Sequence, residues 1–185
     1  PSPTSGRTVV EELNGLADVI IDSGDTFFGV ESTVVDLTGQ PPVLLRPGPF
    51  TLDELTSIFG EIEVPQEARG LSDFKRPLAP GMKYRHYAPE KDLYLLTDNS
   101  QLPEIVKRID RKVAVLLTEE NYIRVKDLAM DNIVFIILGT EYNLYTVARN
   151  LFENLRKIDR LDVDFAIIQS FKEEGIGLAI MNRIR

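Results

Sequence analysis

From residue 92 onward, apolar residues fall in short continuous runs: DLYLLT at 92–97, KVAVLL at 112–117, IVFIIL at 133–138 and VDFAII at 163–168. Strands apolar on both faces must be covered on both faces, which a parallel sheet with helical crossovers achieves. The amphipathic stretches between the runs predict helices over about 100–110, 118–130 and 142–159. In the last of these, Leu144, Val147, Ala148, Leu151, Leu155 and Ile158 recur at three-to-four spacing, the stripe of a helix lying on a sheet. Gly175-Ile176-Gly177 then opens a final helix. The third glycine of a dinucleotide fingerprint is missing, so close helix–sheet packing is the better reading of that pair.

The first sixty residues alternate differently. Thr8 and Glu11 have the spacing of a capping box, predicting a helix that Gly15 ends. ADVIID at 17–22 reads as a strand, followed by a Ser23-Gly24-Asp25 turn. TVVDLT at 33–38 and PVLLR at 42–46 read as a hairpin around Gly39-Gln40-Pro41. Pro47-Gly48-Pro49 stops the second strand, and Thr51 caps a helix over 52–59 with Asp53 and Glu54 in its first turn. Between Gly60 and Pro89 periodicity vanishes while prolines 65, 77, 80 and 89 accumulate. The organisation expected is α/β: one unit over 1–60, a linker over 61–91, and a parallel-sheet unit over 92–185.

Composition narrows the function. Hydrophobic residues make up 43% of the 185, enough for a packed core. No window approaches the ~20 apolar residues of a membrane span, and no leader pattern stands at the start, so a soluble, cytoplasmic protein with no membrane contact is expected. There is no cysteine and a single histidine, His86, which removes disulfides, thiolate metal sites, a cysteine nucleophile and a histidine-rich metal centre. A formal net charge of −8 argues against a broad nucleic-acid surface, which needs a basic stripe. A local patch for one phosphorylated small molecule stays open.

Four stretches carry possible chemistry, each with a plainer reading beside it. PSPTSG offers the hydroxyls of Ser2, Thr4 and Ser5 at a helix start, where anions bind, yet ordinary capping needs the same residues. In FFGVEST, Ser32 and Thr33 suit a small polar ligand; Ser32 is not in a GxSxG elbow, so binding fits better than nucleophilic catalysis. In LLRPGPFT, prolines stiffen the turn after Arg46, so its guanidinium is held for bidentate bonding to phosphate or carboxylate, or for a salt bridge to Asp53 or Glu54. APGMKYRHYAP packs Lys83, Tyr84, Arg85, His86 and Tyr87 into a segment where a linker would carry small polar residues, which favours a nucleotide contact over a spacer, the plainer reading being tyrosines that anchor the linker on one domain.

Taken together, SPTSG, GVEST, LLRPGPFT, APGMKYRHYAP and the closing GIGLAIMNRIR resemble the threonylcarbamoyl-AMP synthase family in its two-domain form. The resemblance implies a YrdC-like domain ending near residue 60, a linker, and a small Rossmann-like domain. It implies condensation of L-threonine, bicarbonate and ATP, with Mg²⁺, to threonylcarbamoyl-adenylate and pyrophosphate. A threonylcarbamoyl-transfer complex then uses the product to modify tRNA. By match to the motifs, Ser2 and Arg46 would contact ATP, Ser32 would contact threonine, and Tyr84 and Tyr87 would close over the nucleotide; the catalytic residue stays unassigned, and no protein metal ligand is implied.

The first half of the YrdC-like domain has no counterpart ahead of Pro1. A fragment inactive on its own is therefore expected, with activity in a longer chain. The competing readings are a non-enzymatic RNA-binding module, with direct tRNA contact, and a C-terminal unit that only docks partners.

Overall fold

In the computed structural model, which describes residues 2–72 and 88–185, the first regular element is helix α1, Gly6–Leu13. Ser5 caps it, its hydroxyl accepting the Thr8 amide at 3.3 Å. The capping role predicted for Thr8 therefore falls three residues earlier. Thr8 sits at the third helical position, where its amide is the one being capped, and it is 7% exposed. The helix ends at Leu13, ahead of Gly15, whose φ of 78° belongs to the turn that follows.

Residues 17–22 form no strand, contrary to the sequence pattern: Val19 and Ile21 are 77% and 90% exposed. A strand exists only by pairing, and among the described residues no partner lies alongside. The hairpin does form. Strands β1, Val34–Asp36, and β2, Val43–Arg46, pair antiparallel with Asp36 opposite Val43 and Val34 opposite Arg46, and a bulge separates Val34 from Val35.

Helix α2, Leu52–Phe59, starts with a closed capping box. Thr51 Oγ1 accepts the Glu54 amide at 3.4 Å, and Glu54 Oε2 accepts the Thr51 amide at 2.7 Å. Beyond it, residues 61–72 are tied to the hairpin and to the last helix of the chain at particular points. Leu44 donates to the Glu63 carbonyl and Glu63 to that of Pro42, both at 2.8 Å, while Ala68 is fully buried with Leu44, Leu55 and Leu178.

The remainder alternates as predicted: β3 (Leu93–Leu96), α3 (Leu102–Arg108), β4 (Val113–Leu117), α4 (Glu119–Val125), β5 (Ile133–Ile137), α5 (Leu144–Arg160), β6 (Phe165–Gln169) and α6 (Gly177–Ile184). The four strands are parallel in the order β3-β6-β4-β5. Helix α4 is shorter than predicted because a 3₁₀ turn, Lys126–Leu128, replaces its last turn.

The two-residue period of a strand sends alternate side chains to two helical layers. Ala114, Leu116, Ala166 and Ile168 meet Leu151, Phe152 and Ile180 of α5 and α6. Val113, Val115, Leu117 and Ile167 meet Leu102, Val106 and Val125 of α3 and α4. Each large side chain buried this way contributes roughly 1.5–3 kcal/mol. A Cβ on Gly177 would come within 1.9 Å of the Lys172 carbonyl oxygen, so close approach accounts for that glycine.

Helices α5 and α6 also carry the first part of the chain. Arg156 pairs with Glu12 at 2.9 Å, Arg160 with Glu11 at 2.8 Å, and Arg149 with Asp25 at 3.4 Å. Glu173 holds Arg69 at 2.8 Å and Arg185 at 2.6 Å.

Burial pushes the Glu173 carboxyl up, but hydrogen bonds from Arg185 and Arg69 outweigh it and hold its pKa below the ordinary carboxylate value. A depressed carboxylate pKa adds stability above its unfolded value, ~4.3, and that stability is lost as pH falls through the folded value. Glu173→Gln is accordingly expected to lower the thermal midpoint at pH 7, with the gap to wild type closing below about pH 4. Thermal unfolding across that range checks this; a gap that stays constant into acid contradicts it.

Candidate functional site

Two glycines let the loop at 29–33 lie where it does. Gly29 has a φ of 73°, and a Cβ there would sit 2.3 Å from Arg149 Cα, so only glycine allows the loop to rest against α5. A Cβ on Gly48 would sit 2.4 Å from the Thr33 nitrogen and 2.5 Å from the Glu31 carbonyl oxygen. Residues 31–33 therefore run flush along 46–50. Thr33 fastens that contact, its hydroxyl donating to the Phe50 carbonyl at 2.9 Å and accepting the Phe50 amide at 3.1 Å.

Arg46 ends β2 and reaches across this contact. Its Nε donates to the Ser32 carbonyl at 3.0 Å and its Nη2 to Ser32 Oγ at 3.1 Å. Glu54, one of the two partners the sequence allowed for Arg46, is engaged in the α2 capping box. One residue before Ser32, the Glu31 carboxylate receives the Ser2 hydroxyl on Oε1 at 2.8 Å and Arg183 Nε on Oε2 at 2.9 Å. The Arg183 side chain is 4% exposed, and its Nη2 also donates to the Pro47 carbonyl at 3.3 Å.

The first loop is held by its own polar groups. Ser5 caps α1, and the buried Thr4 accepts the Thr26 amide on its carbonyl at 2.8 Å. Capping accounts for Ser5, while Ser2 donates its hydroxyl to Glu31.

Ser2, Ser32 and Arg46 are thus brought together around Glu31. Tyr84 and Tyr87, with Lys83, Arg85 and His86, lie outside the described residues. Exposed serine hydroxyls beside a fixed guanidinium suit a polar anionic ligand, since a planar guanidinium bonds carboxylate or phosphate through paired N–H groups. Among the described residues no group of three or more His, Cys, Asp or Glu could hold a metal ion.

Sequence reasoning missed Glu31 and Arg183 as members of the site. A signal for Arg183 was present: it falls three and four residues after Ile180 and Ala179, on the face of α6 that enters the core, where a charge demands a partner. For Glu31 nothing beyond its place inside GVEST pointed to a structural role.

A family model described as threonylcarbamoyl-AMP synthase, C-terminal domain, matches residues 50–185. A second, described as telomere recombination, matches residues 1–48. The threonylcarbamoyl-AMP synthase of Pyrococcus abyssi is 40% identical over 186 residues, covering 100% of this chain and 53% of the relative. That of Bacillus subtilis is 40% identical over 192 residues, covering 100% and 52%. A crystal structure of P. abyssi Sua5 complexed with L-threonine matches with a TM-score of 0.81 at 39% identity, over 100% of this chain and 53% of that one. The chain spans about half the length of the curated relatives it matches.

The flush contact between the two loops makes Gly48 a sensitive position. Gly48→Ala is expected to destabilise the chain by roughly 1–3 kcal/mol, the cost of forcing atoms into a packed contact. Gly39→Ala, whose Cβ would meet nothing nearer than the Pro41 carbonyl oxygen at 4.0 Å, should be close to neutral. Urea unfolding of both variants checks this, and equal stabilities would contradict it.

Proposed function

The chain belongs to the threonylcarbamoyl-AMP synthase family, and on that premise we propose that, in its full natural length, it is an L-threonylcarbamoyladenylate synthase. The substrates proposed are L-threonine, bicarbonate and ATP with Mg²⁺, and the products threonylcarbamoyl-AMP and pyrophosphate. The observation that carries the reading is the 3.1 Å bond between Arg46 Nη2 and Ser32 Oγ. It sets a guanidinium suited to a nucleotide phosphate beside a hydroxyl suited to the amino acid, so the two substrates would meet at one point.

The chemistry asks for positioning and charge neutralisation more than covalent catalysis. Threonine's amine combines with bicarbonate to give a carbamate and water. A carbamate oxygen forms a bond to the α-phosphorus of ATP, and the bond to the β,γ-diphosphate breaks, so pyrophosphate leaves with the electron pair. Ser2 and Arg46 are proposed to hold ATP, with Arg46 balancing charge as it builds on the phosphates, and Ser32 to orient threonine. Tyr84 and Tyr87 are proposed to cover the nucleotide and exclude water from the labile carbamate.

In this reading residues 1–60 are the C-terminal part of the catalytic YrdC-like domain, 61–91 cross between the domains, and 92–185 form the Rossmann-like domain. The product would pass in the cytoplasm to the complex that modifies tRNA. Among the described residues no helix is long and apolar enough to cross a membrane.

Pyrophosphate release from ATP by the full-length protein should depend on both L-threonine and bicarbonate, and release indifferent to threonine would overturn the reading. Tight, salt-sensitive tRNA binding without ATP turnover would instead favour an RNA-binding module. Arg46→Ala should weaken ATP use by roughly 1.5–3 kcal/mol, the worth of a charge-assisted hydrogen bond. ATP titrations of the steady-state rate measure it, and an unchanged variant would return Arg46 to a purely structural role.

A further inference from the structure

We infer that Arg183, on the last helix of the C-terminal domain, is a positioning residue that sets the spacing between Ser32 and Arg46; this rests on the function proposed above. A guanidinium whose side chain is 4% exposed has lost its hydration and must be paired. Besides its neighbour Asn182, which accepts from Nη1, its acceptors are placed in a telling way. Nε donates to Glu31, the residue immediately before Ser32, at 2.9 Å, and Nη2 donates to the carbonyl of Pro47, the residue immediately after Arg46, at 3.3 Å. One planar fork thus grips both loops at the positions flanking the two proposed substrate contacts.

The grip is rigid at its base. Ala179 and Ile180, one turn earlier on α6, are fully buried, so the arginine stem starts from a packed helix and has little freedom to swing. It is fixed at the far end as well. Glu31 is held on its second oxygen by the Ser2 hydroxyl at 2.8 Å, so the carboxylate is oriented from two sides, and Ser2 is itself a proposed ATP contact.

The Arg160–Glu11 pair on α5 differs in kind. Arg160 with Glu11 joins side chains 67% and 44% exposed, and it touches no residue of the site. Such an exposed pair contributes little and positions nothing. The C-terminal domain therefore does more than dock on the catalytic unit: through Arg183 it completes the frame of the site.

Lysine keeps the charge at 183 but lacks the planar fork that reaches two acceptors at once. In the full-length protein, Arg183→Lys and Arg183→Met are expected to lower kcat/KM for L-threonine by roughly 10- to 100-fold, the scale of a misplacement near 1 Å. Arg160→Met should leave it unchanged. Wild-type kinetics in both Arg183 variants would overturn the inference, as would an equal loss in Arg160→Met, which would make the effect a general loosening of the seam. Should Arg183→Met fail to fold, Arg183→Lys and Glu31→Gln carry the same test.

Hydrogen exchange supplies the readout that does not depend on activity. Amides of residues 31–33 should exchange faster in Arg183→Lys than in wild type, while those of β4 stay unchanged. If wild type shows no threonine-dependent pyrophosphate release, the proposed function fails and the exchange result still decides the positioning role. Unchanged exchange at 31–33 overturns it.

Discussion

The carboxylate of Glu31 ties together the parts of this molecule that would otherwise be separate. One oxygen takes the hydroxyl of Ser2, near the start of the chain, and the other takes the guanidinium of Arg183, 152 residues after Glu31 itself. A buried ion pair is a poor source of net stability, because desolvating both charges offsets most of their attraction. Losing one partner, by contrast, strands a buried charge, so the pair enforces a geometry even where it adds little to the folding free energy. Here the geometry enforced is the path of the loop at 29–33.

Steric constraint does the rest. Gly48 lets that loop run flush against the end of β2, and Gly29 lets it rest on α5, each at a distance no Cβ would tolerate. The loop is thereby held from the hairpin on one side and from the helices of the C-terminal sheet on the other. Ser32 and Arg46 bond each other across the first of these contacts. In the reading proposed, a ligand entering between them would exchange one set of hydrogen bonds for another, with little reorganisation of the backbone, which is the condition for strong electrostatic positioning.

What could be read from the sequence divides along the range of the interactions. The parallel sheet was legible because β4 is apolar at every position, and a strand buried on both faces needs helices on both sides. The start of α2 was legible because Thr51 is a good cap and Asp53 and Glu54 follow it in the first turn, where acids are favoured. The α1 cap was misassigned because Ser5 and Thr8 are both good caps and local pattern alone does not rank them. The strand at 17–22 had the right residues, but pairing is not local, and none of the described strands lies beside it. At the site, Ser2, Ser32 and Arg46 were reached through resemblance and their motifs, whereas the bond between Glu31 and Arg183 was invisible: a sequence shows that a charge on a core-facing position needs a partner without showing which.

The central claim is that Ser32 and Arg46 form one ligand-binding point, framed by Glu31 and Arg183. A crystal structure of the full-length protein with L-threonine and a non-hydrolysable ATP analogue tests it most directly. The account predicts threonine within hydrogen-bond reach of Ser32 Oγ and nucleotide phosphate within reach of the Arg46 guanidinium, at about 3 Å, with the Glu31–Arg183 pair intact. Substrates seated away from Ser32 and Arg46, or seated there with Glu31 and Arg183 parted, would contradict it.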